Sequence, residues 1–237
     1  MFQSLWEVLT AYWPWLLLIA GVSYLLGSFN FAILVTRVMA GKDIRDMGSG
    51  NAGMTNVLRS QGKRAAAWTT LGDLAKSIAA TLLGGYLFHL AGGEVLEDGM
   101  RWVVGRYLAG LFCMLGHMFP LYFGFRGGKG VLTTLGIMLV VDWQSALIGF
   151  TVFLIVVFIT WMVSLGSIIG VTTVTLLTWI FDRFVRGWNT NYVTFCTAAT
   201  ALLAAIVIWM HRGNIKRILN GTERKISLSK KKERNDG

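Results

Sequence analysis

The sequence predicts an all-α integral membrane protein of about seven transmembrane helices, N-terminus outside and C-terminus cytoplasmic. Three observations carry that expectation. Only 14% of the 237 residues are charged, against 54% hydrophobic, where a soluble domain carries roughly 25% charged residues. That shortage leaves lipid as the solvent for most of the surface. The apolar residues fall into seven runs, near 14–36, 66–90, 102–119, 130–141, 144–162, 165–181 and 191–210. Seven spans threaded through them place 18 of the 22 basic residues on one side, leaving Arg101, Arg106, Arg183 and Arg186 on the other. The basic side is the cytoplasmic one, and a different span count breaks the asymmetry.

The runs differ in character. Trp6, Tyr12, Trp13 and Trp15 at the first suit an interfacial belt, and the absence of a preceding basic residue argues against a cleavable signal peptide. The second run contains Asp73 and Lys76, three apart and so on one helix face. Charges inside a span pair with one another and often mark function; purely structural pairing is the other reading. The fourth run is too short to cross alone, since a span needs about 20 residues, and it places Asp142 near an interface. Cys113 and Cys196 lie in apolar runs without a ligand pattern and read as core. The net charge of +10 follows the span ends, so no nucleic-acid partner is expected. Residues 1–226 read as one polytopic domain. The tail 227–237, SLSKKKERNDG, reads as a disordered basic segment near anionic headgroups.

Three segments on the predicted cytoplasmic side carry candidate chemistry. The first, GKDIRDMGSGNAGMTNVLR at 41–59, contains Gly48, Gly50 and Gly53 at a spacing that matches a dinucleotide fingerprint. That motif requires a preceding strand, and a membrane span precedes it here. The anion chemistry survives without the fold. Glycines let backbone N–H groups approach an anion, and a helix starting near Thr55 points its positive end there. Ser49, Asn51, Thr55 and Asn56 add neutral donors, and Arg45 and Arg59 flank them. The second, GHMFPLYFGFRGGKG at 116–130, is not a P-loop: Phe123 stands where Gly is required and Gly130 where Ser or Thr is. It places Lys129 in a Gly127-Gly128 turn with Arg126 nearby, a pair suited to phosphate, and His117 as a base or a phosphate partner. The third, HRGNIKRILNGTERK at 211–225, aligns His211, Asn214 and Arg217 on one helical face. Gly221 is a candidate helix stop, and Glu223 follows it. His89, with Glu94 five residues on, has the wrong acid on the wrong side for a His-Asp acyltransferase motif and reads as structural.

These residues resemble a known family. SYLLGSFN at 23–30, DIRDMGSGNAGMTNVLR at 43–59, GDLAKS at 72–77, GHMFPLYFGFRGGKGVLTT at 116–134 and HRGNIKRILNGTE at 211–223 are similar, in the same order, to the bacterial acyl-phosphate:glycerol-3-phosphate acyltransferases, the PlsY family. The departures, at Asn30 or Phe31, Met54, Ser77 and Leu132, remove no proposed charge. The resemblance implies transfer of an acyl group from acyl phosphate to the 1-hydroxyl of glycerol 3-phosphate, giving lysophosphatidate and phosphate. It implies no cofactor or metal, and a site on the cytoplasmic face of the bacterial inner membrane.

Roles follow as expectations. The loop Gly48–Asn56 and Ser28 hold the acyl-phosphate head. Lys129, Arg126 and Arg45 neutralise phosphate. His211, Asn214, Arg217 and Glu223 hold glycerol 3-phosphate. His211, ahead of His117, is the candidate general base, with the donor phosphate as the alternative proton acceptor. A base role predicts a loss of roughly two to four orders of magnitude on its removal. An anion carrier and a metal-dependent phosphotransferase are the rival readings.

Overall fold

The computed structural model describes residues 5–92, 96 and 98–226. The basic tail and Glu94 lie outside the described residues. Those described form only helices and turns: α1 (Leu5–Ser28), α2 (Phe31–Ala40), α3 (Met54–Gln61), α4 (Lys63–Leu90), α5 (Asp98–Met118), α6 (Val131–Val141), α7 (Trp143–Thr160), α8 (Val163–Ile180), α9 (Thr190–Met210) and α10 (Arg212–Leu219). Five stretches are long and apolar enough to cross a membrane: Glu7–Ala40, Gly99–Phe123, Trp143–Thr160, Val163–Val185 and Thr190–Met210. Their outward faces carry large exposed hydrophobics such as Leu17, Phe158 and Ile159, as lipid-facing surfaces do.

The fourth and second apolar runs are not among these five. α6 has 11 residues, about 16 Å of helix against a ~30 Å hydrocarbon core. α4 has 28 residues but buries Asp73 and Lys76 midway.

The first run departs from expectation. It is not one helix to residue 36 but breaks at Phe29–Asn30. Asn30 caps α2, its Oδ1 accepting from Ile33 N at 3.1 Å. The Phe29 carbonyl freed by the break accepts from the Lys76 ammonium at 2.7 Å. A break at membrane depth persists only when neighbouring groups satisfy the backbone again, and Lys76 does so here.

α4 lies against α5 and α1, and α8 pairs with α7 and α9. At the α4–α5 crossing a Cβ on Gly105 would strike the Gly84 carbonyl; small residues permit this approach of two helices. Cys113 and Cys196 are buried. At the far end of α6, Asp142 caps α7 and meets Arg186 at 2.6 Å, which also holds Asp182 at 2.5 Å. That cluster closes the end of the short helix.

Candidate active site

A cavity of about 780 Å³ lies between the 49–56 loop, α6, α7, α8 and α10. One end is polar, with Lys129, His211, Asn214, Arg217 and Glu223. The other is lined by Leu135, Met138, Ala146, Phe150, Val171 and Val174. From Val163 to Val174, α8 descends about 16 Å, so the apolar part is a deep groove.

The polar end is a connected network. The Lys129 ammonium donates to Asn214 Oδ1. Asn214 Nδ2 donates to Ser164 Oγ at 2.6 Å and to Glu223 Oε1 at 2.7 Å. Ser164 Oγ donates to the same Glu223 oxygen at 2.7 Å, and Arg217 Nε donates to Glu223 Oε2 at 2.8 Å. Burial alone would raise the Glu223 pKa, but donors from Ser164, Asn214 and Arg217 outweigh it and hold the carboxyl below its usual range. Glu223 is thereby an ionised anchor that orients Asn214 and Arg217.

His211 sits at the α9–α10 junction and is buried. Its Nδ1 lies 2.8 Å from the Val207 carbonyl. A carbonyl only accepts, so Nδ1 carries the hydrogen and Nε2 keeps its lone pair. Burial, with Lys129 adding to it, pushes the imidazole pKa down to about 4.

Lys129 is also depressed by burial, to about 8, with Arg217 contributing. The sign follows: Lys129 is cationic below pH 8 and loses its charge as pH rises through 8. His211 stays neutral across pH 5–8. The expected kcat/KM profile is therefore free of a His211 limb between pH 5 and 7 and falls above about pH 8. A pH series at constant ionic strength checks this.

Gly48 and Gly50 have φ of +56° and +73°, the left-handed region that favours glycine. α3 starts at Met54 without a side-chain cap. Gly53, Met54 and Thr55 line the cavity, so the positive end of α3 faces it. Gly50, Ser49 and Asn51 line it as well.

Asn56 lines the cavity but spends its side-chain polar atoms on its own loop, and several other expected ligand residues stand away from the lining. Asn56 is buried, and its amide holds its own loop: Oδ1 accepts from Ser49 N at 2.9 Å, and Nδ2 donates to the carbonyls of Ile44, Met47 and Asn51 at 2.9–3.1 Å. Arg45 does not line the cavity. It forms a bidentate pair with Asp43, at 2.9 Å and 2.8 Å, and donates to the Phe123 carbonyl at 2.5 Å and to that of Arg126 at 3.3 Å. Its guanidinium clamps two loops together, and this pairing holds the Asp43 carboxyl well below the usual range. Ser28 is fully buried, its Oγ bonded to the Tyr24 carbonyl and to Leu121 N at 2.8 Å and 3.2 Å. Arg126, Gly127 and Gly128 are also absent from the lining. The Arg126 side chain is exposed. Gly127 N and Gly128 N donate to the Met118 and His117 carbonyls at 2.9 Å and 3.1 Å, fixing the turn that presents Lys129.

Asp73 and Lys76 form a buried ion pair at 2.7 Å, and His117 joins it, with Nδ1 3.0 Å from the ammonium. Asp73 and His117 line the cavity.

Two lining residues carried no signal as functional positions in the sequence. Ser164 lies in an apolar run and meets Glu223 only through the fold. Arg224 donates to the Gly48 carbonyl at 3.1 Å, and its own carbonyl accepts from Arg59 at 3.2 Å. Segment 221–226 thus straps the glycine loop, and Ile226 N reaches the Trp161 carbonyl at 2.9 Å.

The family model for glycerol-3-phosphate acyltransferase matches residues 17–221. A protein of that name from Clostridioides difficile is 45% identical, over 90% of this chain and 97% of the relative. Another from Pseudomonas fluorescens is 39% identical, over 89% and 98%. The fold is similar to the crystal structure of PlsY (YgiH), an integral membrane glycerol 3-phosphate acyltransferase, in its glycerol 3-phosphate form. The TM-score there is 0.73 and the identity 32%, covering 90% of this chain and 96% of that one. For the lysophosphatidic acid form the values are 0.71 and 31%, over 90% and 95%. This chain is a multi-pass membrane acyltransferase of phospholipid synthesis and belongs to the PlsY family of glycerol-3-phosphate acyltransferases.

Proposed function

We propose that the protein transfers an acyl group from acyl phosphate to the 1-hydroxyl of glycerol 3-phosphate, releasing lysophosphatidate and inorganic phosphate. The observation that carries this reading is one cavity that is cationic at one end and a deep apolar groove at the other. A molecule with a phosphate head and an acyl tail fits both ends at once. The glycerol 3-phosphate and lysophosphatidic acid forms of the PlsY structures support the acceptor and the product. An acyl-phosphate donor suits the site: a mixed anhydride already has a good leaving group, so positioning and charge neutralisation matter more than leaving-group activation.

In this reading Lys129 and Arg217 hold the phosphate of glycerol 3-phosphate, with Asn214 held in place by Glu223. The loop Gly48–Thr55 and the start of α3 take the donor phosphate. His211 Nε2 accepts a hydrogen bond from the attacking hydroxyl. An imidazole with a pKa of about 4 is a poor proton acceptor near neutrality, whereas the phosphate gains basicity as its acyl bond breaks. The hydroxyl proton therefore ends on the departing phosphate, and His211 orients rather than removes it.

The topology belongs to the same reading. The five apolar stretches, together with α4 and the partial span α6, make seven crossings. The N-terminus is outside, and the site faces the cytoplasm of the bacterial inner membrane. The network of Lys129, His211, Asn214, Arg217 and Glu223 lies at one end of the cavity, which suits an enzyme drawing a soluble acceptor from one side better than a carrier. Asp43, Asp73 and Glu223 are each committed to basic side chains, which disfavours a metal-dependent phosphotransferase.

Radiolabelled glycerol 3-phosphate tests the donor. Label enters the organic phase as lysophosphatidate with palmitoyl phosphate and not with palmitoyl coenzyme A. The reverse preference overturns the reading. The groove adds a second expectation. Val171 lines it and is 7% exposed, so Val171→Phe shortens it, lowering kcat/KM for the longest acyl phosphates roughly tenfold and sparing shorter ones. A chain-length series measures this; a uniform loss places the acyl chain elsewhere.

A further inference from the structure

The two histidines of the cavity are held in opposite tautomers. Lys76 Nζ lies 2.7 Å from the Phe29 carbonyl, 2.7 Å from Asp73 Oδ1 and 3.0 Å from His117 Nδ1. An ammonium has N–H groups and no acceptor, so Lys76 meets His117 Nδ1 only as a donor. A hydrogen on His117 Nδ1 would point at the cation, so Nδ1 holds its lone pair toward Lys76. Asp73 Oδ1, at 3.5 Å from Nδ1, is beyond ordinary hydrogen-bond distance. The hydrogen of the neutral imidazole therefore sits on Nε2. His211 is the reverse, donating through Nδ1 to Val207 and leaving Nε2 as an acceptor.

Nε2 is the ring nitrogen of His117 without a polar partner among the described residues. The residue is 3% exposed, yet it lines the cavity. A Cβ on Gly128 would strike Nε2 and approach the Ala52 carbonyl, so the glycine keeps that side of the ring open, beside Lys129.

We propose that Lys76 is a positioning residue that fixes His117 in the Nε2–H tautomer. His117 then serves as a neutral hydrogen-bond donor to a phosphoryl oxygen, while His211 is the acceptor. The proposal rests on the reading that the cavity takes phosphate-bearing substrates. His117 is excluded as the base, because its Nε2 has no lone pair, and it keeps its proton throughout the reaction. A neutral donor suits this position: an imidazolium would face the Lys76 ammonium at 3.0 Å, whereas the Nε2–H grips an anion without that repulsion.

The chain has three histidines, so its imidazole ¹⁵N spectrum is simple. In the full-length protein in lipid nanodiscs, with His→Gln variants for assignment, His117 is expected protonated at Nε2 and His211 at Nδ1. Protonation of His117 at Nδ1, or an imidazolium there at pH 7, overturns the proposal. Kinetics give a second arm. Glutamine places an N–H near the Nε2 position and asparagine does not. His117→Gln therefore loses less than about tenfold in kcat/KM and His117→Asn at least about tenfold more, the worth of one hydrogen bond to a charged group. Equal losses in both variants contradict the donor role. Lys76→Met should move the His117 hydrogen to Nδ1, toward Asp73; if that variant does not fold, the wild-type spectrum and the Gln/Asn pair still decide. Wild-type protein inactive with acyl phosphate and glycerol 3-phosphate would defeat the functional reading, and the spectrum would judge the tautomers separately.

Discussion

Replacing His211 by alanine lowers kcat/KM roughly 100-fold, the scale on which misplacing a reacting group acts, without changing the shape of the pH profile between 5 and 7. The ring is buried and its Nδ1 is tied to the Val207 carbonyl, so Nε2 is held in one direction. With a pKa near 4, it is already neutral at pH 5 and loses no activity by protonation between there and 7. A general base titrating near neutrality would instead give the wild type an acid limb that the variant erases. His211→Gln, which keeps a polar atom near Nε2, is expected to fall between wild type and alanine. An alanine variant within a few-fold of wild type removes His211 from the hydroxyl. Steady-state rates from pH 5 to 9 for the three proteins make the comparison.

Lys129→Met raises KM for glycerol 3-phosphate by roughly 10- to 100-fold, because a hydrogen bond to a charged partner contributes about 1.5–3 kcal/mol. It also leaves Asn214 Oδ1 without the donor it has now. The fall in kcat/KM above pH 8 should disappear with it, since Lys129 is the group whose charge is lost there. The pH result separates this role from simple disruption. A misfolded variant loses activity at every pH, whereas loss of this one cation flattens the alkaline limb. Lys129→Met with an unchanged KM would place the acceptor phosphate on other cations, Arg59 and Arg224 first.

Most of the helices and the three polar segments were legible in the sequence because each leaves a local mark. Glycines at 48, 50 and 53 announce a turn, and two of them have positive φ. His211, Asn214 and Arg217 recur at a spacing of three, with Asn214 and Arg217 on the short α10 and His211 at the junction that precedes it. What was illegible depends on pairing across the fold. Arg45 reads as a phosphate cation until Asp43, two residues away, is seen to hold it in a bidentate pair. Ser28 and Asn56 have the chemistry of ligands, yet the backbone around them uses their polar atoms. Ser164 meets Asn214 across 50 residues, and Lys76 meets His117 across 41. Hydropathy read 14–36 as continuous because one Asn in an apolar run barely moves an average, while in the fold that Asn ends one helix and starts another.

The central claim is that one cavity brings a phosphate head, an acyl chain and an acceptor hydroxyl together. The most direct measurement is phosphate release by the purified protein in lipid, given palmitoyl phosphate with and without glycerol 3-phosphate, and lysophosphatidate counted in the same samples. The expected result is no release without the acceptor, and one phosphate for each lysophosphatidate formed in its presence, undiminished by a chelator. Release that proceeds equally without glycerol 3-phosphate, or that stops on chelation, would contradict the account.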